Sequence, residues 1–499
     1  MPTDACPSLP APHTTATHAV ANHGVLAALL LAVAACSTVV PQRAAPLDLP
    51  ANWAAADTPA RVPATSLVQW WQRFDDPLLA SLVTQALHAN TSVQGAAAAL
   101  RQARALRDVS AAGLLPTVGG SASAQRSQAT TDAGRRVTGS NFRVALDASW
   151  ELDVFGAQRS ALDSGEAGVR ATAASLGDVQ VSVAAEVALA YITLRSSEAR
   201  LAIAESNLAS QQETLQLTQW RQQAGLVTAL DSEQARAGVE QTRAQLPALQ
   251  TSIEQSRHAL AVLTGQAPAA LSALLAASAP VPQPVAELAL AIPAETLRQR
   301  PDVRAAEHQV SAAAARVEQA DAERKPSFKL SGSLGLNALT LGSLTSGGAF
   351  AAALLAGVSV PLFDGGAGQA QVQAQQAALD QAEAEYKATV LSALKDVEDA
   401  LVALRGDRER LARLQQAAEA SGNAALLARQ RYSSGLVDFQ TVLETLRSQI
   451  NTQDGVAAAY ADLSADHVRL YKALGGGWQA EGEDAAQAPL DATGPSPRT

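Results

Sequence analysis

The chain has 499 residues and a formal charge of −10 spread along its length, which excludes nucleic acid as a partner because no basic stripe exists to neutralise phosphates. Its 47% hydrophobic residues are carried mainly by Ala, with only 4% aromatic, a composition suited to tightly packed helices and coiled coils rather than a large mixed core. Two cysteines, Cys6 and Cys36, exclude a disulfide framework.

The first feature along the chain is an export signal. Val25 to Val33 is an apolar run too short to span a bilayer, which needs ~20 residues, and it reads as the core of a signal peptide. Val33-Ala34-Ala35-Cys36 follows and resembles a bacterial lipobox, in which the cysteine is acylated and becomes the first mature residue. Residues 1–35 contain no Lys or Arg, a departure from the usual positive start. Residues 1–35 are thus expected to be a lipoprotein signal peptide and 36–65 a lipidated linker. No cofactor is expected beyond the covalent diacylglycerol and acyl chain on Cys36.

The remainder contains one unit twice. Pro116 recurs as Pro326 and Gly225-Leu226-Val227 as Gly435-Leu436-Val437, at a shared offset of 326 − 116 = 435 − 225 = 210 residues. Val187, Leu194 and Leu201 match Val397, Leu404 and Leu411 at the same offset. The first repeat is placed at 66–275 and the second at 292–475, with a linker at 276–291 and a flexible tail at 476–499. Pseudo-symmetric halves suit a ring, tube or transporter better than a single catalytic cleft.

Each repeat opens with shorter helices, predicted at about Leu78 to Ala112 and Asp302 to Ala322, and then switches to a period of two. Phe142, Val144, Leu146, Ala148, Trp150 and Leu152 alternate with Arg143, Ala145, Asp147, Ser149, Glu151 and Asp153. Phe328, Leu330, Gly332, Leu334 and Leu336 alternate likewise, with a return strand at Leu354 to Leu362 and a weaker, small-residue partner near Val118 to Gln125. The hairpins are placed at 117–154 and 327–363. A soluble half-buried sheet also alternates, but these strands match the ~9 to 11 residues that cross a bilayer, against ~5 to 6 in soluble domains. Four strands cannot close a barrel, because an open edge in lipid leaves backbone groups unpaired. Three chains would give twelve strands around a polar lumen.

Long helices follow each hairpin. From about Gln158 to Ala224 there is no proline, and Leu194, Leu201, Leu208 and Leu215 keep a seven-residue spacing, the seam of a coiled coil. At ~1.5 Å per residue such a helix reaches about 100 Å. Return helices are predicted from about Asp231 to Leu263 and Phe439 to Leu474, the latter after a second long helix from about Ala367 to Ser434. Gly225 and Gly435 then sit at the hairpin tips as helix C-caps. Apolar Leu226, Val227, Leu436 and Val437 beside them are candidates for contact with a partner.

Five motifs give the chain a family resemblance: Trp70-Trp71-Gln72-Arg73-Phe74-Asp75-Asp76-Pro77-Leu78, Trp150-Glu151-Leu152-Asp153-Val154-Phe155-Gly156, Ala259-Leu260-Ala261-Val262-Leu263-Thr264-Gly265, Arg300-Pro301-Asp302-Val303-Arg304-Ala305-Ala306-Glu307 and Val360-Pro361-Leu362-Phe363-Asp364-Gly365-Gly366. Together they span nearly the whole mature chain and resemble the outer membrane factors of the TolC and NodT type. The resemblance implies a mainly α, internally duplicated homotrimer whose twelve-stranded outer-membrane β-barrel continues as a long periplasmic α-helical barrel. It further implies a gate at the helical tips, a periplasmic adaptor (membrane fusion protein), an inner-membrane pump of the RND type, anchorage in outer-membrane lipid, and no enzymatic activity. In the family's pattern, second-half carboxylates at the positions of Thr441 and Glu444 line the closed constriction. Glu444 fits, Thr441 departs from the double-acidic version, and Asp231 is the first-half counterpart of Thr441.

No metal-ligand spacing is present among the seven histidines, and Met1 is the only methionine. The reading is therefore a passive efflux duct. The exit channel of type I protein secretion shares the architecture, and an exported coiled-coil adhesin or envelope scaffold is the alternative from another class.

Overall fold

The computed structural model describes residues 53, 67–130, 132, 134–284, 297–346 and 349–479. The signal segment, Cys36 and the final tail from residue 480 lie outside the described residues. A 3-10 turn at Trp70–Phe74 leads into α1, Pro77–Ala89, and α2, Thr91–Ala112. Composition predicts one helix here; Asn90 divides it. The Asn90 backbone is extended, and its side-chain oxygen accepts from the amides of Ser92 and Val93, capping α2.

Strands β1, Thr117–Thr130, and β2, Arg136–Leu152, form the first hairpin, and both are longer than the alternation alone indicates. Helices α3, Ala157–Gln223, and α4, Ala229–Leu263, follow. The second half repeats the order with α5, Pro301–Ala322, strands β3, Ser327–Ala338, and β4, Ala349–Ser359, and helices α6, Ala367–Ser433, and α7, Phe439–Ala473. The last strand ends at Ser359, short of the predicted Leu362, because Pro361 cannot donate to a ladder.

The four strands form one antiparallel sheet in the order β1-β2-β3-β4. Register sorts its faces, since directly paired residues share one. Val144 pairs with Leu336 and Leu336 with Phe350; Leu152 pairs with Phe328 and Phe328 with Val358. One face is thus apolar across β2 to β4 and joined by Val118 and Ala122 of β1. The opposite face carries Ser123, Arg143 and Asn337 in one row and Glu151 beside Lys329 in another. The apolar face is not covered by protein: Leu146 is 56%, Phe350 65% and Leu354 78% exposed.

The helices form a wall. Near the sheet α3 lies between α2 and α5, and α6 flanks α5; towards the tips α4, α3, α7 and α6 lie side by side. The main core sits midway, where Trp70 stacks on Tyr471 at 5.2 Å and Leu79, Leu194, Leu260, Val397 and Leu470 close around them.

The duplication is also physical at this shoulder. Asn90 Nδ2 donates to the Leu263 carbonyl at 2.8 Å, and Arg300 Nη1 donates to the Ala473 carbonyl at 2.7 Å. Both pairs stand 210 residues apart in sequence, so each half ties the end of its return helix to the residue that starts its own short helix. Gly265 and Gly475 follow those ends with φ of +73°, and a Cβ on Gly265 would lie 2.4 Å from the Ala89 carbonyl oxygen. Arg300 also forks onto Asp302 at 3.0 and 2.7 Å and reaches Asp396 at 3.3 Å, which gives the Arg-Pro-Asp motif a structural role.

Candidate functional site at the helical tips

Each long helix ends in a glycine with a left-handed backbone, Gly225 at φ +73° and Gly435 at φ +71°. Leu226 N–H bonds to the Arg221 carbonyl and Gly225 N–H to the Gln222 carbonyl, at 2.8 and 2.9 Å. Leu436 and Gly435 repeat these bonds to Arg431 and Tyr432 at 2.9 and 3.0 Å, so both tips close as Schellman caps.

The Leu-Val pairs at the tips divide. Leu226 is 71% and Leu436 73% exposed, whereas Val227 and Val437 pack against a small tip core of Tyr432, Phe439, Val442, Leu443 and Leu446. The valines turn inward because this cluster, which Leu215 also covers, removes their side chains from water.

Asp231, Thr441 and Glu444 lie on the return helices just past the tips. Asp231 forms a capping box: its carboxylate accepts from the Thr228 amide and hydroxyl at 2.9 and 2.8 Å. In the second half the cap residue is Asp438, which accepts from the Thr441 amide at 2.9 Å and the Thr441 hydroxyl at 2.6 Å. These two bonds hold the Asp438 carboxyl below the usual carboxylate range. The tips therefore exchange the two positions, Thr228 before Asp231 becoming Asp438 before Thr441, while the threonine hydroxyl donates to the aspartate at both and the cap is kept. Glu444 takes no part; it is exposed and, among the described residues, accepts only from Gln440, at 3.0 Å.

At the tip the two hairpins are joined by Arg221, which lies outside the motifs that carry the family resemblance. Arg221 donates from Nη1 to the Tyr432 carbonyl and from Nη2 to the Ser433 carbonyl, both at 2.9 Å, and its guanidinium lies 4.4 Å from the centre of the Tyr432 ring. The bonds cap the C-terminal end of α6 with a cation placed on α3, where the helix dipole favours positive charge. Closer to the shoulder Arg200 forks onto Asp454 at 2.6 and 3.0 Å, and Asn207 donates to Gln453 at 3.2 Å. Between these links the hairpins part around a polar cleft of about 440 Å3 lined by Gln211, Thr214, Gln241, Phe439 and Arg447. The sequence signal for Arg221 was its recurrence as Arg431, four residues ahead of each tip glycine.

One buried acid stands out nearer the shoulder. The Asp466 side chain is 1% exposed; burial and the adjacent Asp407 carboxyl push it up to about 6, against the pull of Arg469 at 2.6 Å.

The outer membrane efflux protein family matches this chain twice, over residues 82–266 and 292–476, which is the same offset of 210. Among its relatives, the pyoverdine export outer membrane protein OpmQ of Pseudomonas putida is 34% identical over 91% of this chain and 97% of its own length. Outer membrane protein OprJ of Pseudomonas aeruginosa is 30% identical over 91% of this chain and 96% of its own. The solved outer-membrane channel OprN superposes with a TM-score of 0.80 at 37% identity, covering 86% of this chain and 98% of that one. The Neisseria gonorrhoeae MtrE channel in its open state superposes at 0.78 with 28% identity, over 89% of this chain and 98% of that one. Placed beside a sheet with an uncovered apolar face and tips built alike 210 residues apart, these matches show that the chain belongs to the outer membrane efflux protein family and is an outer-membrane channel of the efflux class.

Proposed function

We propose that the chain is the passive exit duct of a tripartite efflux pump, assembled as a homotrimer with a twelve-stranded barrel and a periplasmic helical tube. The observation that carries the reading is the four-stranded sheet with two open edges. Along β1 and β4, which are 14 and 11 residues long, every second residue turns an unpaired N–H and C=O to the outer side, which hydrocarbon does not tolerate. Pairing β4 of one chain with β1 of the next removes every edge.

The apolar face then meets lipid and the face of Arg143, Asp147, Glu151 and Lys329 lines the lumen. From Phe142 to Leu152 the apolar row runs about 34 Å along the strand, or about 26 Å along the membrane normal at a tilt of ~40°. Aromatic side chains mark both ends, Phe142 and Phe350 at one, Trp150, Phe328 and the 93% exposed Phe363 at the other. Cys36, acylated, anchors the chain at the periplasmic leaflet. The tips, with Glu444 as the charged constriction and Leu226 and Leu436 as docking contacts, meet a periplasmic adaptor, and an RND-type inner-membrane pump supplies the energy.

Membrane extracts should give a heat-modifiable trimer on a denaturing gel, and purified trimers should form conducting channels in planar bilayers. Monomers that remain monomers in detergent and never conduct would overturn the reading.

A further inference from the structure

We propose that Arg431 forms a second arginine clamp, made only between chains, by donating to the Gln222 and Gln223 carbonyls of a neighbouring copy. The proposal rests on the trimeric duct and adds to it the contact that joins one chain's tip to the next.

The argument starts from the clamp that is made. Arg221 reaches from the first hairpin to the second, and its two acceptors are the carbonyls of Tyr432 and Ser433. A ring built from duplicated halves has two kinds of seam, first hairpin to second within a chain and second to first between chains. Shifting the observed clamp by 210 residues converts Arg221 to Arg431, Tyr432 to Gln222 and Ser433 to Gln223. The donor and both acceptors are all present.

They are also idle. Arg431 is exposed, and among the described residues its guanidinium has no hydrogen bond or ion pair. The Gln222 carbonyl accepts from Gly225 N–H, as the Tyr432 carbonyl accepts from Gly435 N–H, but it lacks the arginine that the Tyr432 carbonyl has. No described group bonds to the Gln223 carbonyl, whose counterpart on Ser433 is taken by Arg221. Both sit at the end of α3 with the same orphan carbonyls and dipole.

The copy is weaker than the original for three reasons that can be read from the residues. Position 222 is Gln, so no ring lies beneath the guanidinium as Tyr432 lies beneath Arg221. Arg200–Asp454 would become Arg410 facing Ala244, and Asn207–Gln453 would become Ala417 facing Arg243, so neither accompanying link is duplicated. Arg410 is instead engaged within its own chain, at 2.9 Å from Asp462. The seam between chains is thus held at the tip by Arg431, and it is the one that yields first.

Cross-linking of the full chain in outer-membrane vesicles tests this. Arg431→Cys combined with Gln223→Cys, treated with a short bifunctional maleimide, should give covalent dimers and trimers on a denaturing gel. Arg221→Cys with Ser433→Cys should give linked monomers only. Native gels of the same samples report whether trimers are present. Trimers on the native gel with the 431/223 pair unlinked, or linked inside one chain, would overturn the clamp and leave the trimer standing; absence of trimers would overturn both. As a second arm, Gln222→Tyr should slow trimer dissociation in detergent by about two- to fivefold, the worth of a restored cation–π contact. That gain should vanish with Arg431→Ala; a gain that survives it would also count against the clamp.

Discussion

Arg221→Ala should loosen the seam between the two hairpins of one chain and widen the tip. The substitution removes two charge-assisted bonds of 2.9 Å to carbonyls at a helix end and a guanidinium 4.4 Å from a tyrosine ring. One of the bonds is solvent-exposed, so about 1 kcal/mol each is appropriate, with ~0.5 kcal/mol from the ring contact. The total of about 2.5 kcal/mol corresponds to about a sixtyfold rise in local opening, at 1.4 kcal/mol per tenfold. Amide exchange at Gly435 and Leu436, whose N–H groups bond to the Tyr432 and Arg431 carbonyls, reads this directly. Arg221→Lys, which keeps the charge and loses the fork, should fall about midway. Planar-bilayer conductance of Arg221→Ala should rise in parallel. Exchange at Gly435 that stays within twofold of wild type, while Tyr432→Ala accelerates it, would refute the clamp as the element that holds the tip.

Arg300→Ala should cost about 3 kcal/mol of stability, because it strips the Ala473 carbonyl and leaves Asp302 and Asp396 without their cation; thermal melts in detergent measure it, with Arg300→Lys retaining part. Asp466 titrates higher folded than unfolded, so its protonated form favours the fold: the contribution is complete below about pH 4 and is lost as pH rises through about 6. Asp466→Asn should flatten the stability profile across that window, where wild type declines, as followed by chemical denaturation at stepped pH. Glu444→Ala should weaken block by divalent cations at the tip in single-channel recordings, since the proposed trimer would bring three of these carboxylates together; unchanged block would remove Glu444 from the gate. Leu436→Asp should leave assembled trimers intact and reduce efflux in cells, and normal efflux would exclude this leucine from docking.

Much of the architecture was legible because it obeys simple periods. Phe142 to Leu152 alternates cleanly, and Leu194 to Leu215 keeps its heptad, so strand and helix each declared themselves. Hydropathy alone gives too short a β1, because its outward positions include Gly120, Ala122 and Ala124, while the ladder with β2 extends to Thr130. The break at Asn90 was invisible to periodicity, since it depends on a side chain that bonds to both its own helix and Leu263. The tips show the same limit. Gly225 and Gly435 could be assigned from residue type, but the inward turn of Val227 and Val437 follows from the tip core, and the Arg221 clamp from a crossing between helices more than two hundred residues apart. Asp231 and Thr441 read as gate positions by alignment with a pattern; that both also cap their helices in the protomer follows only from the structure.

The shoulder tie of Arg300 to the end of α7 has a mechanical consequence. With one end fixed at Ala473 and 35 residues to the tip, α7 acts as a lever arm of about 52 Å. Each degree of tilt at the fulcrum carries the tip by about 0.9 Å on that length. A repacking among Trp70, Tyr471 and the glycines that follow α7 that tilted the helix by about three or four degrees would thus move the far end by about 3 Å.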